Sequence, residues 1–393
     1  MRRGGWAGLW LAFLIFAGGC KGFWDLPTCT GSSCSGGGTS SGVFYVLNQT
    51  TGQIVADSVS SSGFSNIGSY NLTGPIAIAI APNKSYLYVS TLANGIFVYD
   101  IGSNGALTLG YNNAAVAPAV DAAVVVDTTN GWLIDAWING SGYVQLDATP
   151  LNSSGTPTGG TVASVTFQIN NAAVKQMALS SDGANVFVAL GAAGTLIVPF
   201  SSTSPFPTGV KGTTISVLHN GGSDLSVAVD PSNRLFYVGE VLGNSAGTAG
   251  GLRFFDYSSL TEETASGSPL ASGPAGSTAP NAILPLANYV YVANGEGASS
   301  FGNIAWFPVS TSGTTVSLST GSSITSDVGI QPMGLAEDST GTYILAVSAG
   351  DGGSSGGDPD LGSFTMSSGT LTFFKSGNTG TDPVGAVAVA ALP

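Results

Sequence analysis

The sequence carries little charge, and most of that charge is negative. Only 8% of its 393 residues are charged, and 22 acidic side chains oppose nine cationic ones, for a formal net charge of −13. An average soluble domain has about 25% charged residues. Lysine and arginine form no cluster along the chain, and a surface of this sign repels phosphate groups. We therefore expect no nucleic acid among its partners.

Histidine and cysteine are almost absent. The one histidine, His219, lies in the segment VLHNGG with no acid or nucleophile motif beside it. A zinc centre or a Ser-His-Asp triad needs histidine together with further ligands or partners, so neither is expected. The three cysteines all fall within the first 34 residues, which leaves the rest of the chain without a disulfide.

The N-terminus is organised like a secretory signal. Arg2 and Arg3 precede an uncharged apolar stretch over residues 6–16, and small residues then lead to Cys20. The apolar stretch is too short to span a bilayer as a mature helix. We therefore expect residues 1–19 to be a signal peptide and the protein to be exported.

The ending AGGC resembles the bacterial lipobox, in which a peptidase cleaves before a lipidated cysteine. One position departs from that motif, because Ala17 stands where Leu, Val or Ile is usual. The resemblance implies a lipid on Cys20 that anchors the protein to the bacterial cell envelope. Lys21 follows the cysteine where an aspartate would resemble an inner-membrane retention signal, so the outer membrane is favoured. Ordinary secretion and an uncleaved anchor are the alternatives.

Residues 20–41 are rich in glycine and serine and are typical of a flexible tether. Cys29 and Cys34 lie within it, in the segment CTGSSC. In an oxidising compartment the two can close a small disulfide loop. Two free thiols without a structural role are the equal alternative, and either way nothing in the body of the chain is cross-linked.

Residues 42–393 consist of repeated apolar runs. No segment of them combines a 3.6-residue apolar period with helix caps, which predicts an all-β body. Each repeat has a small-residue apolar strand, a turn such as DPSN or SSDG, an aromatic and β-branched strand, and a third strand. The repeats are spaced by about 45 to 55 residues, as expected of propeller blades. They begin at Pro75, Ala119, Val174, Ser223, Pro280 and Pro332.

The two ends of the body supply a seventh repeat. The segment DPVGAVAVAAL from Asp382 has the pattern of a first strand, and GVFYVLNQTTGQIVADSV from Gly42 has that of a second and third strand. Joining them removes the exposed sheet edges of an open array. The prediction is an all-β, seven-bladed β-propeller whose N- and C-terminal strands close one blade.

Four stretches share the pattern sPdG/N…lYV.n…g.i.vf.v, and in it the chain resembles the lactonase family of seven-bladed propellers. That family includes phosphogluconolactonases, muconate-lactonising enzymes and related YVTN repeats. The resemblance extends over nearly all of residues 42–393, and it implies fold more strongly than activity. The four stretches are Ala81 to Asp100, Ser180 to Phe200, Asp230 to Asp256 and Tyr289 to Val309.

The resemblance implies a site at one mouth of the propeller axis, formed where each first strand begins. We expect ligand-binding residues there, and Glu240, at the end of the strand LFYVGE, matches a family carboxylate that could act as a general base. A solvated strand-end carboxylate is the alternative for Glu240. The family histidine is missing, and Arg234 and Arg253 are the only arginines after residue 3. The expected residues at this mouth are Asp121, Lys175, Gln176, Asp224, Asn281 and Met333.

The segment GDGGSSGGDPDLG contains Asp351, Asp358 and Asp360 among glycines. Clustered carboxylates suit Ca²⁺, but the spacing fits neither an EF-hand nor a nonapeptide repeat, so a plain acidic loop is the stronger interpretation. Apart from this weak calcium candidate we expect no cofactor.

These features favour an exported, lipid-anchored, monomeric propeller that binds a glycan, a peptide or an envelope protein without catalysis. The alternative is a lactonase with an altered active site, in which Glu240, Lys175 and Asp224 act together. The sequence does not decide whether the protein is an enzyme.

Overall fold

The computed structural model describes residues 42–215, 218, 221–242, 249–273, 279–295, 302–312, 315–319, 321–325, 327–350, 360–377 and 385–393. These residues form seven antiparallel sheets, each a blade that extends from a central axis. The first strands of neighbouring blades contact one another in a closed ring. The predicted all-β, seven-bladed β-propeller is confirmed.

The strand bounds follow blade by blade, from the axis outward. Blade 1 has β29 (Ala386–Ala391), β1 (Gly42–Asn48), β2 (Gln53–Ser60) and β3 (Gly63–Asn71). Blade 2 has β4 (Pro75–Ile80), β5 (Tyr86–Thr91), β6 (Ile96–Ile101) and β7 (Leu107–Leu109). Blade 3 has β8 (Ala123–Val126), β9 (Trp132–Ile138), β10 (Val144–Pro150) and β11 (Ala163–Phe167). Blade 4 has β12 (Gln176–Leu179), β13 (Asn185–Ala189), β14 (Thr195–Pro199) and β15 (Thr213–Ile215).

The other three blades follow the same order. Blade 5 has β16 (Ser223–Val229), β17 (Leu235–Leu242), β18 (Ala249–Asp256) and β19 (Leu270–Ala271). Blade 6 has β20 (Ala279–Pro285), β21 (Tyr289–Gly295), β22 (Asn303–Ser312) and β23 (Thr315–Leu318), with β24 (Ser322–Ile324) also paired to β22. Blade 7 has β25 (Ile330–Glu337), β26 (Tyr343–Gly350), β27 (Leu361–Ser367) and β28 (Thr370–Gly377). Short 3-10 turns lie at Tyr111–Asn113 and Thr264–Ser266.

Blade 1 is built from both ends of the body, as the repeats predict. The C-terminal strand β29 is innermost and pairs with β1, with Phe44 opposite Ala391 and Val46 opposite Val389. Strands β1 and β2 take the second and third places, and β3 takes the fourth. Pairing β29 with β1 closes the ring and covers the edge of β1 that could otherwise template aggregation.

The fourth strand of each blade is not predicted by the repeats. Several of these outer strands are very short: β7 and β15 have three residues each, and β19 has two. Their length and partial exposure leave no alternation of apolar and polar residues to read. The four-stranded blade is therefore a correction of the three-strand repeat seen in the sequence.

Buried aspartates organise several turns between first and second strands. Asp127, after β8, accepts hydrogen bonds from the backbone N–H groups of Gly131 and Trp132 at 2.6 and 2.8 Å. Asp338, after β25, accepts from Thr342 and Tyr343 at 2.9 and 2.7 Å. Such bonds satisfy both the carboxylate and the turn, which is why these charged side chains can be buried.

Neighbouring blades are joined by a recurrent tyrosine–glycine contact. The hydroxyl of Tyr45 donates to the Gly105 carbonyl at 3.0 Å, that of Tyr88 to Gly155 at 2.7 Å, and that of Tyr291 to Gly369 at 2.9 Å. Each tyrosine lies in a second strand, and each glycine lies in the turn between the third and fourth strands of the next blade. All three glycines have positive φ, and a Cβ on any of them would clash with a side chain of the preceding blade. The core therefore lies between the blades, and glycine is required where they approach most closely.

Candidate functional site

Five of the seven inner strands contain a bulge at the same place. In each, one residue near the start of the first strand is skipped in the pairing with the second strand. A bulge leaves its extra residue unpaired and turns the side chain away from the sheet. The skipped residues are half-buried, whereas the residues on either side are buried, with the exception of Ala77. The skipped residues are Ile76, Leu225, Asn281, Met333 and Val387.

All five skipped residues line one cavity of about 420 Å³ on the propeller axis. This volume lies within the range of about 300 to 1,000 Å³ that is typical of small-molecule sites. The cavity lies at the end where the first strands begin, and every blade contributes to its wall. The other lining residues are Gln49, Ala77, Ala123, Val124, Lys175, Gln176, Met177, Gly334 and Ala388.

Most of the cavity wall is apolar, and of its three amide side chains, Gln49, Gln176 and Asn281, the last two are oriented by backbone partners. The side-chain oxygen of Gln176 accepts the Val227 backbone N–H at 2.9 Å, which leaves its NH₂ group to act as a donor. Asn281 is oriented the other way, because its NH₂ group donates to the Pro332 carbonyl at 2.9 Å. Its side-chain oxygen is then the acceptor on the blade 6 side of the cavity. Both amide orientations follow from these backbone partners.

Lys175 is the one cationic residue among those that line the cavity. It immediately precedes β12, where its backbone N–H donates to Ala189 at 2.9 Å, and its side chain is exposed. Within the part of the chain that the structure describes, no carboxylate lies within 4 Å of its ammonium group. No aspartate or glutamate belongs to the described cavity wall.

Behind this wall, Arg253 is buried among carboxylates. The guanidinium of Arg253 makes a two-pronged contact with Glu262, through Nε at 3.3 Å and Nη2 at 2.7 Å. It also lies 3.5 Å from Glu240 and 3.8 Å from Asp224, and it sits over the Phe255 ring at 4.9 Å. Arg253 is 1% exposed, and Asp224 and Glu240 are 0% exposed. Charges this deeply buried are retained only when they are paired.

The cluster connects blade 5 to blade 4. Thr195 of blade 4 donates a 2.7 Å hydrogen bond to the Asp224 carboxylate. The backbone of Asp224 also pairs with that of Gly191 in both directions, at 3.0 and 3.1 Å. Burial raises the pKa of Asp224 to about 7, against the Thr195 hydrogen bond and the Arg253 charge, which lower it. Burial by itself lowers the pKa of Arg253, but the hydrogen bond and charge of Glu262 outweigh it and the net shift is upward.

The structure divides the residues expected at the axial mouth into three groups: those that line the cavity, those in the buried cluster, and Asp121, which lies in neither. Lys175, Gln176, Asn281 and Met333 line the cavity. The other acidic candidates, Asp224 and Glu240, are held in the buried cluster around Arg253.

Two further residues lie apart from the cavity wall. Asp121 is exposed and has a left-handed φ of 50°, and its backbone N–H donates to Thr91 at 3.0 Å. Arg234 lies in the turn at the opposite end of blade 5, paired with Asp230 at 3.0 Å.

Several other expected residues lie outside the described part of the chain. Asp360, next to β27, is 2% exposed. In the described residues no three His, Cys, Asp or Glu side chains are grouped as metal ligands would be. Likewise, none of the described helices is long and apolar enough to cross a membrane. The residues outside the described part are Cys20, Cys29, Cys34, His219, Asp351 and Asp358.

Three of the five skipped residues that line the cavity are missing from the sequence-based set: Ile76, Leu225 and Val387. A signal for them exists, because each is followed by a small residue, Ala77, Ser226 and Ala388 respectively. The same succession, in which a residue that differs from blade to blade is followed by a small residue, occurs at Asn281–Ala282 and Met333–Gly334. Aligning the first strands on that small residue would have marked the skipped position.

A second buried acidic group lies between blades 2 and 3. Asp135 on β9 is 0% exposed, and neither carboxylate oxygen has a hydrogen-bond partner among the described residues. Its cross-strand neighbour Asp147 accepts bonds from Gln145 at 2.9 and 3.0 Å and from Trp137 at 3.0 Å. Burial, and secondarily the Asp147 charge, raise the pKa of Asp135 well above its ordinary value.

Comparison with known proteins shows the fold alone. No family model matches the sequence, and no curated protein matches it. The chain is similar to the solved structure of dihydro-heme d1 dehydrogenase NirN in complex with DHE, with a TM-score of 0.53, 11% identity, and coverage of 94% of this chain and 79% of that one. It is also similar to the Cps50 (Swd1) β-propeller domain from Myceliophteria thermophila, with a TM-score of 0.53, 11% identity, and coverage of 80% and 89%.

Proposed function

We propose that this protein is a binding protein of the bacterial cell envelope that takes a ligand into its axial cavity without transforming it. The observation that carries the proposal is the separation of two kinds of residue. The cavity wall carries apolar side chains, amides and one lysine, whereas Asp224 and Glu240 are buried around Arg253. A general base must come within hydrogen-bonding distance of the proton it removes. Glu240 is instead fully buried and does not line the cavity.

Export and anchoring belong to the same proposal. They rest on the charged start, the apolar stretch and Cys20, followed by a tether long enough to hold the propeller away from the membrane. A glycan, a peptide or an envelope protein would then present the group that enters the cavity of a monomeric propeller. Metabolic labelling with an alkyne fatty acid tests the anchor: we expect label on the wild type and none on Cys20→Ser.

The alternative, a lactonase with an altered site, keeps one supporting observation. Asp224 and Glu240 do converge, since both lie within 4 Å of the Arg253 guanidinium. The lactonase resemblance of the repeats would then extend to activity. It requires the cluster to open toward Lys175, which lines the cavity.

Turnover decides between the two. Hydrolysis of δ-gluconolactone and dihydrocoumarin is followed by acid release, and we expect no rate above the uncatalysed one. Hydrolysis that Glu240→Gln abolishes would establish the lactonase and remove our proposal.

Binding is tested separately with a cavity-filling variant. Thermal-shift screening of sugars, short peptides and small organic acids should find ligands that stabilise the wild type, because a ligand that binds only the folded state raises its stability. Ile76→Trp fills the cavity and should abolish those shifts. Leu92→Trp is the matched control, since Leu92 is 48% exposed and lies outside the cavity wall.

A further inference from the structure

The polar groups of the axial cavity are arranged asymmetrically. On the blade 4 side, Lys175 presents an ammonium group and Gln176 presents an NH₂ group whose partner oxygen is already bonded. On the blade 6 side, Asn281 presents a side-chain oxygen. Blade 5 separates the two sides with the apolar side chain of Leu225. Among these groups, donors and a positive charge lie on one side and an acceptor lies on the other; the amide of Gln49 on blade 1 is the remaining polar side chain of the wall.

The remainder of the cavity wall suits an apolar group. Small and aliphatic side chains come from the inner strands of blades 1, 2 and 3, and methionines come from blades 4 and 7. Burying apolar ligand surface against them is favourable by about 25 cal/mol per Å². Methionine also adapts to ligands of different shape. A strongly polar ligand such as a free sugar would leave most of its hydroxyl groups without partners in this wall.

We propose that the cavity binds a small carboxylic acid with an apolar body, whose carboxylate is held by Lys175 and the Gln176 amide. The inference rests on the proposed function, because it names the ligand class of the same cavity. Lys175 is the one cation in a wall with no described carboxylate, within a chain of net charge −13. Hydrogen bonds between ionised partners are about twice as strong as neutral ones, so this contact selects a carboxylate over a neutral group of equal shape.

The same geometry fixes the orientation of the ligand. The Asn281 oxygen is an acceptor and repels a carboxylate, whereas the blade 4 donors attract it. The apolar body then extends across the axis toward the alanines and valines of blades 1 to 3. Because the overall charge of the protein opposes an anion at long range, affinity must come from the local contact with Lys175.

Calorimetric titration with octanoate and with octanamide, its neutral analogue, tests the inference. We expect octanoate to bind the wild type at least about tenfold more tightly than octanamide. Lys175→Met should remove that difference, and it should fold normally because Lys175 is exposed. Lys211→Met is the matched control: Lys211 is also exposed but lies outside the cavity wall, so it should keep the preference.

Each remaining outcome has one meaning. Equal binding of the two compounds, unchanged octanoate affinity in Lys175→Met, or no octanoate binding to the wild type would each overturn the inference. If octanamide still binds and Ile76→Trp abolishes that binding, the cavity remains a binding site and only the carboxylate class is wrong. The proposed function itself would fail if the protein hydrolysed lactones, and these titrations do not measure lactone hydrolysis.

Discussion

Replacing Asp135 should make the protein more stable at neutral pH and should reduce the dependence of its unfolding free energy on pH. Asp135 lies on β9 with its carboxylate fully buried and without a hydrogen-bond partner among the described residues. Its face of β9 also carries Leu133 and Trp137, which pack against blade 2. The neighbouring carboxylate of Asp147, by contrast, accepts three hydrogen bonds, from Trp137 and Gln145. Asp135 is the member of the pair that burial keeps protonated.

The direction of the pH effect follows from the raised pKa of Asp135. The folded state holds this proton at pH values where the unfolded chain, with an aspartate pKa near 4, has released it. The contribution of the protonated Asp135 carboxyl to stability is therefore complete below about pH 4, and it is lost as the pH rises toward the pKa of Asp135 in the folded state. The loss is about 1.4 kcal/mol for each pH unit within that window.

Two variants separate titration from desolvation. Asp135→Asn keeps the shape of the side chain and removes its titration. The unfolding free energy of this variant should therefore exceed that of the wild type by a difference that grows by about 1.4 kcal/mol per pH unit above pH 4. Asp135→Val also removes the unpaired polar atoms, which should add about 1 to 3 kcal/mol. Valine suits the site, because Val89, Val238 and Val292 occupy the matching register positions of blades 2, 5 and 6.

Urea unfolding at pH 4.5, 5.5, 6.5 and 7.5, followed by tryptophan fluorescence, measures these differences. Asp100→Asn, which removes an exposed carboxylate on blade 2, controls for the loss of one surface charge. Parallel stability profiles for wild type and Asp135→Asn would refute the reasoning, because Asp135 would then titrate alike in the folded and unfolded chains.

Three further perturbations test the scaffold. Arg253→Met leaves buried carboxylates without their cation and should lower the unfolding free energy by about 3 to 5 kcal/mol in urea titrations at pH 7; an unchanged midpoint would contradict the ion-pair cluster. Gly369→Ala places a Cβ 2.0 Å from the Tyr289 ring at a φ of +81°. Thermal unfolding should therefore show that the unfolding free energy falls by about 2 to 5 kcal/mol. Unchanged stability would contradict the interblade contact. Deleting residues 385–393 removes β29 and exposes the edge of β1, so light scattering should reveal aggregates, and a soluble monomer would contradict closure by the chain ends.

The fold could be predicted because it is repeated. Each blade places the same alternation of apolar and polar residues at the same interval, and the incomplete repeats at Gly42 and Asp382 indicated closure. The shortest outer strands, β7, β15 and β19, could not be predicted, since a strand of two or three residues has no period. The bulges do not interrupt the apolar runs, so they emerge only when the first strands are aligned on the small residue that follows each skipped position.

The candidate site could be predicted only in part. Position at the start of a first strand was enough to bring Lys175, Gln176 and Asn281 to the axis, where their role in binding stays a prediction. The same reasoning placed Asp224 there, but its environment depends on Thr195 and Arg253, which are 29 residues away in each direction. Such long-range partners decide whether a carboxylate faces solvent or an arginine, and no local pattern reports them.

The bulges explain how one scaffold can carry unrelated binding chemistry. Each skipped residue is half-buried and unpaired, while the residues beside it, Ala77 excepted, are buried. Ser226, next to Leu225, donates a 2.6 Å hydrogen bond to the Pro280 carbonyl of the following blade. Substitution at Leu225 or Met333 therefore changes the cavity wall while leaving such links intact. The chain shares its fold with solved structures at 11% identity, and fold does not imply function, so the ligand of this cavity has to be inferred from its own lining residues.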